Sequence, residues 1–284
     1  MKIETAGNYI SKWGEGPVWY NDKLLYVDIN GCAVIIYDPN DQSEKVLPLS
    51  QRVGTVVMRN NGHLLIAGDH GFFYLDSETG VTTAIADPEP ELPDNRFNDG
   101  KCSPDGRFFA GTISLTKKPG TAKLYRLDPD GSLHTAYSPV TNSNGIVWSV
   151  TGDHCYYMDT PSKEIKRFEY QPQTGELSNM AVAFNTQQYA ASPDGMTIDS
   201  EGHLWIAFCH GGCVTQFDPN SGKELQQISI PCRETTACAF GGPDLSELYI
   251  TTGIPGDDPE LLAGRLFVVK GLGVRGVQAS KFCG

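Results

Sequence analysis

One pattern recurs along this chain and leaves few folds open to it. In the stretch from Pro193 to Gly222, PDGMTIDSEGHLWIAFCHGGCVTQFDPNSG, residues 196–199 read as a short apolar strand and Ser200-Glu201-Gly202 as a turn. Residues 203–208 read as a second strand, Gly211-Gly212 as a turn, and residues 213–218 as a third strand ending in Asp-Pro-Asn-Ser-Gly. Three strands joined by tight turns make an antiparallel meander whose two faces are both apolar and need covering. Looser copies run through the rest of the chain. With Glu15, Gly54, Asn98, Asn144, Asp194 and Thr236 as equivalent points, the spacings are 39, 44, 46, 50 and 42 residues.

A recurrence of that length with three or four strands per unit predicts an all-β fold, a six-bladed β-propeller. Radial stacking of the blades covers both faces of every sheet. Apolar runs at 45–49, 82–85, 133–137, 180–184 and 225–230 are expected to supply outer strands. Either residues 3–10 or residues 274–282 complete the last blade. Helical signals are nearly absent and no linker interrupts the repeats, so residues 1–284 are read as one domain.

The net charge of −12 comes without a basic stripe, which disfavours nucleic-acid and anionic-membrane partners and favours a cation or a small ligand. No apolar run of signal-peptide length opens the chain, and nowhere do 18 apolar residues run together. The expectation is therefore a cytoplasmic protein, as a monomer or small homo-oligomer. The eight cysteines fall mostly in or beside strands and suggest no disulfide framework. Cys209-His210-Gly-Gly-Cys213 brackets a hairpin turn and lacks a second ligand pair at zinc-finger spacing.

In a meander the residues just before the first strand share an end with the turns between the second and third. That end is expected to gather Glu15, Arg96, Asn98, Asn144 and Asp194 with the long loops 114–122 and 254–264. Asn61-Gly62, Asp105-Gly106, Asp153 and Glu201-Gly202 fall at the opposite end as solvent-type turns. The identical tripeptides Pro104-Asp105-Gly106 and Pro193-Asp194-Gly195 are thereby separated, the first as a plain turn and the second as a channel-end feature. Taken singly, Asp194 reads equally well as a turn residue, and Asn144 before Gly145 as a left-handed turn residue. Convergence favours a ligand set: two carboxylates and two amides from four blades suit one divalent metal ion, with Ca²⁺, Mg²⁺ or Mn²⁺ most natural and Zn²⁺ or Fe²⁺ open. His70, His210, Asp69 and Asp159 lie at the same end, where turn residues are more often solvated.

Gly-Glu15-Gly-Pro-Val-Trp, Arg96-Phe-Asn98-Asp-Gly-Lys, Gly111-Thr, Ser143-Asn144-Gly, Pro193-Asp194-Gly-Met-Thr-Ile-Asp, Phe240-Gly-Gly and Gly271-Leu-Gly-Val together resemble the SMP-30/gluconolactonase/LRE family. The resemblance covers nearly the whole chain, in order. It implies a six-bladed propeller that hydrolyses sugar lactones with one divalent metal in the channel. It further implies metal ligands at Glu15, Asn144 and Asp194 and substrate contacts at Arg96 and Asn98. Asp194 could also serve as general base, but a ligand to a cation has a lowered pKa and is a weak one. Some members carry a substrate-contacting Glu after the Gly-Thr motif, where this chain has Ile113-Ser-Leu-Thr116-Lys-Lys and no carboxylate.

A Ser-His-Asp hydrolase is disfavoured, because there is no Gly-x-Ser-x-Gly and no helix to carry a nucleophile elbow. Two other readings stay open: a metal hydrolase acting on another ester such as a phosphotriester, and a non-enzymatic Ca²⁺-binding or interaction scaffold.

Overall fold

Short β-branched and aromatic runs between turn residues form six four-stranded antiparallel sheets in the structure, a computed structural model that describes residues 1–256 and 260–284. Blade 1 is Gly14–Tyr20, Lys23–Asp28, Ala33–Asp38 and Ser43–Pro48, from the inside out. Blade 2 is Val53–Met58, Leu64–Gly68, Gly71–Leu75 and Thr82–Ala86. Blade 3 is Asn95–Cys102, Phe108–Ser114, Ala122–Leu127 and Leu133–Val140, and blade 4 is Ser143–Trp148, His154–Asp159, Glu164–Gln171 and Glu176–Asn185. Blade 5 is Ser192–Ile198, Leu204–Cys209, Cys213–Phe217 and Glu224–Ser229. Blade 6 takes Thr235–Gly241, Glu247–Thr252 and Leu266–Lys270 from the C-terminal part of the chain and its outermost strand, Lys2–Ala6, from the N-terminal part.

The ring is therefore closed by the N-terminal segment, with Lys2 opposite Lys270 and Ala6 opposite Leu266. The C-terminal segment does something else. It crosses the end of the ring away from the site: Ser200 donates its N–H to Arg275 O, Tyr20 its hydroxyl to Ser280 O, Asn60 its N–H to Phe282 O and Cys283 its N–H to Gly106 O. Phe282 is fully buried there. This segment thus hydrogen-bonds at or beside three of the turns expected to face solvent, and Asn61, Gly62 and Glu201 remain exposed. Gly202, at φ +87°, shows why such turns carry glycine, since a Cβ there would strain the backbone.

Six apolar layers fill the six blade interfaces. Trp205 of blade 5 meets Phe240 of blade 6 edge-on at 5.7 Å, and Phe72 of blade 2 meets Phe97 of blade 3 at 4.5 Å. Each such side chain contributes about 1.5–3 kcal/mol on burial, so the stability of a blade lies in its neighbours. All eight cysteines are free thiols.

Every innermost strand carries one extra residue near its start, at or directly after its repeat-equivalent point. In blades 1, 3 and 5, two residues oppose one: Gly16-Pro17, Asn98-Asp99 and Asp194-Gly195. In blades 2, 4 and 6 a single residue is inserted, at Gly54, Gly145 and Thr236. These are β-bulges, which break the ladder locally and re-aim side chains. The innermost strand of blade 5 accordingly begins at Ser192, and Asp194 lies inside it rather than before it. Gly54 is glycine for space, because a Cβ would fall 2.3 Å from Asn98 O of the next blade. Of the 254–264 loop expected at the site end, residues 257–259 lie outside the described residues.

Candidate metal and substrate site

Blades 1 and 5 are not neighbours in a six-membered ring, so a direct contact between them is made only at the axis. Glu15 and Asp194 make such a contact, carboxyl to carboxyl, and Asp194 is also faced by the Asn144 amide and the Cys209 thiol. All three of Glu15, Asn144 and Asp194 are buried. Asp99 of blade 3 brings a third buried carboxylate near both acids. The two-residue bulges of alternate blades thus direct Glu15, Asp99 and Asp194 toward one another.

Burial, and then the charges of Asp194 and Asp99, push Glu15 well above the ordinary carboxylate range. Burial also raises Asp194, with Asp99 adding to it while Asn144, Glu15 and Cys209 oppose by hydrogen bonding. The sign is that of two acids sharing one proton. Asp99 is raised by burial against the pull of Lys101 and the Gly100 N–H. Lys101 is itself buried, is lowered by that burial, and donates to Met196 O at 2.8 Å. Carboxylates this crowded, with one ammonium in reach, are the donor set a hard cation satisfies, and Glu15, Asn144 and Asp194 fit one.

The remaining side chains are held by neighbours. Asn144 donates Nδ2–H to Thr160 Oγ1 at 3.1 Å, and Thr160 in turn donates to Pro193 O, which ties the amide to the strand carrying Asp194. Asn98 donates to Ser143 O at 2.8 Å and accepts from Arg96 Nη1 at 3.0 Å. Arg96 Nη1 also donates to Phe97 O, but its buried Nε has no hydrogen-bond partner among the described residues. Burial, helped by the Arg52 charge, lowers Arg96 to about 10, so this guanidinium remains a cation at neutral pH with one donor unspent.

The residues 13–254 match the model of the SMP-30/Gluconolactonase/LRE-like region. The chain belongs to this family. Among SMP-30/gluconolactonase/LRE-like relatives, regucalcin of Danio rerio is 40% identical over 293 residues, covering all of this chain and 99% of that one. A Bacillus subtilis (strain 168) protein named as a candidate sugar lactone lactonase, YvrE, is 39% identical over 241 residues, which cover 84% of this chain and 82% of that one. The solved structure of a calcium-binding regucalcin from Agrobacterium tumefaciens superposes with a TM-score of 0.91 at 26% identity, covering 98% of this chain and 97% of that one.

Of the residues singled out in the sequence, the structure brings together Glu15, Asn144 and Asp194, and sets Arg96 and Asn98 on the adjoining blade. It does not bring in Asp69, which is paired with Arg52 at 3.0 Å, or Asp159, which accepts the Asn142 N–H at 2.7 Å. His70 is exposed, its N–H bound to Gln51. Thr116 is exposed and bonded to Ser114. Asp99 and Lys101 were missed as site residues, although both stand in the Asn98-Asp99-Gly100-Lys101 motif. No sequence signal marked them, because the bulge that turns Asp99 out of the ladder along with Asn98 is defined only against the partner strand. Glu234, beside Cys209 and His210, had no sequence signal.

Proposed function

We propose that this chain is a metal-dependent hydrolase of sugar lactones, with Glu15, Asn144 and Asp194 as the ligands of one divalent cation and Arg96 and Asn98 as substrate contacts. The observation that carries the reading is the buried carboxyl pair Glu15–Asp194 facing Asn144 on the ring axis. When bound, the cation polarises the lactone carbonyl and lowers the pKa of water. The family and the lactonase-named relative support the substrate class.

The chain's own residues set the rest of the chemistry. Arg96, with its Nε free to donate, orients lactone oxygens, and Asn98 holds Arg96 in place while its own amide is anchored on Ser143 O. Asp194 is the residue we assign to take the proton of the attacking water. Water adds to the carbonyl carbon, the ring C–O bond breaks, and the proton passes to the leaving alkoxide to give a hydroxy acid.

The test is a panel of aldonolactones and simple esters assayed after chelation and after addition of Ca²⁺, Mg²⁺, Mn²⁺, Zn²⁺ or Fe²⁺ in turn. Lactone hydrolysis that vanishes on chelation and returns with one of these ions is expected. Turnover indifferent to chelation, or confined to phosphotriesters, would sink the reading.

A further inference from the structure

The sequence paired Cys209 and His210 with Cys213, but the structure gives them a different companion. Cys213 packs into the apolar layer with Phe184, Phe208 and Phe217. Across the boundary to blade 6, Glu234 forms a bridge to Cys209 at the head of the innermost strand. A thiol, an imidazole nitrogen and a carboxylate oxygen all then lie within 4.8 Å of one another. Cys209 Sγ is 3.1 Å from Glu234 Oε2, and His210 Nδ1 is 2.7 Å from the same oxygen.

Two of the three donors are fixed in the wall of the ring and the third can adjust. Glu234 is 2% exposed and Cys209 6%, whereas the His210 side chain is 60% exposed. Glu234 Oε1 is taken by Arg233 Nε at 3.1 Å, which leaves Oε2 facing the sulfur and the imidazole. Burial works against the Glu234 charge, but the bonds from Cys209, His210 and Arg233 outweigh it and hold this carboxyl below its ordinary value. His210 also holds a left-handed φ of +66° in a hairpin followed by two glycines.

We propose that Cys209, His210 and Glu234 form a second cation site, for a zinc-class transition-metal ion, at the channel end of blade 5. The donor set decides the class. Sulfur, imidazole and carboxylate together suit Zn²⁺ or Co²⁺, whereas Ca²⁺ and Mg²⁺ take oxygen donors of the kind gathered at Glu15, Asn144 and Asp194. Zinc-ligand bonds of about 2.0 Å to N and O and about 2.3 Å to S need the donors a few tenths of an ångström further apart than they stand. The exposed His210 ring supplies that movement for its 2.7 Å contact, and a small rotation of the Cys209 side chain has to supply it for the 3.1 Å contact with Glu234. Binding releases the Cys209 thiol proton to solvent as the sulfur–metal bond forms, and it leaves one coordination position for water. The proposal does not depend on lactone hydrolysis.

The test uses the full chain stripped of metal, then held with excess Mg²⁺ to occupy the oxygen-donor site, in a Cys283→Ser background that removes the exposed thiol. Co²⁺ is added and the near-ultraviolet thiolate-to-cobalt absorption is followed. A band that saturates at one equivalent and is displaced by Zn²⁺ is expected. Cys209→Ser should abolish it and Cys213→Ser should leave it. His210→Ala, with its fold checked by circular dichroism, should weaken Co²⁺ binding by at least about 100-fold, beyond the loss typical of an outer-shell partner. No band, a band that survives Cys209→Ser, or Co²⁺ affinity unchanged in both His210→Ala and Glu234→Gln would overturn the site.

Discussion

Asp194 and Asp199 stand five residues apart in blade 5, both buried, and the molecule treats them in opposite ways. Asp199 is fully supplied with donors: its carboxylate accepts from Trp205 Nε1 at 2.9 Å, Gln216 Nε2 at 2.8 Å, and the N–H groups of Glu201 and His203 at 3.0 and 2.9 Å. Asp194 is met instead by another acid, an amide and a thiol, with Asp99 adding like charge. Burial alone does not mark a functional carboxylate. What marks one is burial without enough donors, because the cost of the charge is then left for a ligand to offset.

That contrast can be broken in three ways. The largest effect is expected from Asp194→Asn, which should lower lactone hydrolysis by about 10³-fold, the middle of the range for a group acting in the chemical step. It should also remove divalent-ion binding at the oxygen-donor site while leaving the melting temperature unchanged or higher. Full activity in this variant, measured as kcat/KM, would remove Asp194 from both roles.

Asp199→Ala should do the converse. Leaving the buried Trp205 and Gln216 donors unpaired is expected to cost about 3 kcal/mol of stability, read by denaturant unfolding, with activity per folded molecule retained. A stable Asp199→Ala protein that has lost activity would reverse the assignment of the two acids.

The smallest effect is in pH. In the chelated protein Asp194 is pushed up to about 7, whereas an unfolded Asp titrates near about 4. The folded state therefore binds more protons in that window, and its stability relative to Asp194→Asn should rise progressively as pH falls from about 7 to about 4. Saturating divalent ion should flatten the difference. A stability difference that instead falls with acidification would mean Asp194 is charged and satisfied without a ligand, as Asp199 is.

Much of this was legible in the residues. Turn chemistry at Asn61-Gly62, Pro104-Asp105-Gly106 and Glu201-Gly202 fixed the meander, and the spacing of Glu15, Asn98, Asn144 and Asp194 marked equivalent places in four blades. The bulges were not legible, because an extra residue in one strand is defined only by its partner's register. Asp99 escaped notice for that reason, as did the start of the blade 5 inner strand ahead of Asp194. Lys101 escaped as well, since its neighbour Met196 O belongs to another blade. Ring closure was undecided between two apolar segments of similar length and character, and pairing of Lys2–Ala6 with Leu266–Lys270 decided it.

The sequence by itself determined the number of blades, the strand order within each and the family, because apolar runs, turn residues and short motifs act over a few positions. Only the tertiary structure decided which side chains meet. Glu15 against Asp194, and Cys209 and His210 against Glu234, are contacts between blades, and no local pattern encodes a distance across the ring. Closing the ring brings acids from alternate blades together at the axis, away from water, and there residues that read as ordinary turns gain their raised proton affinity.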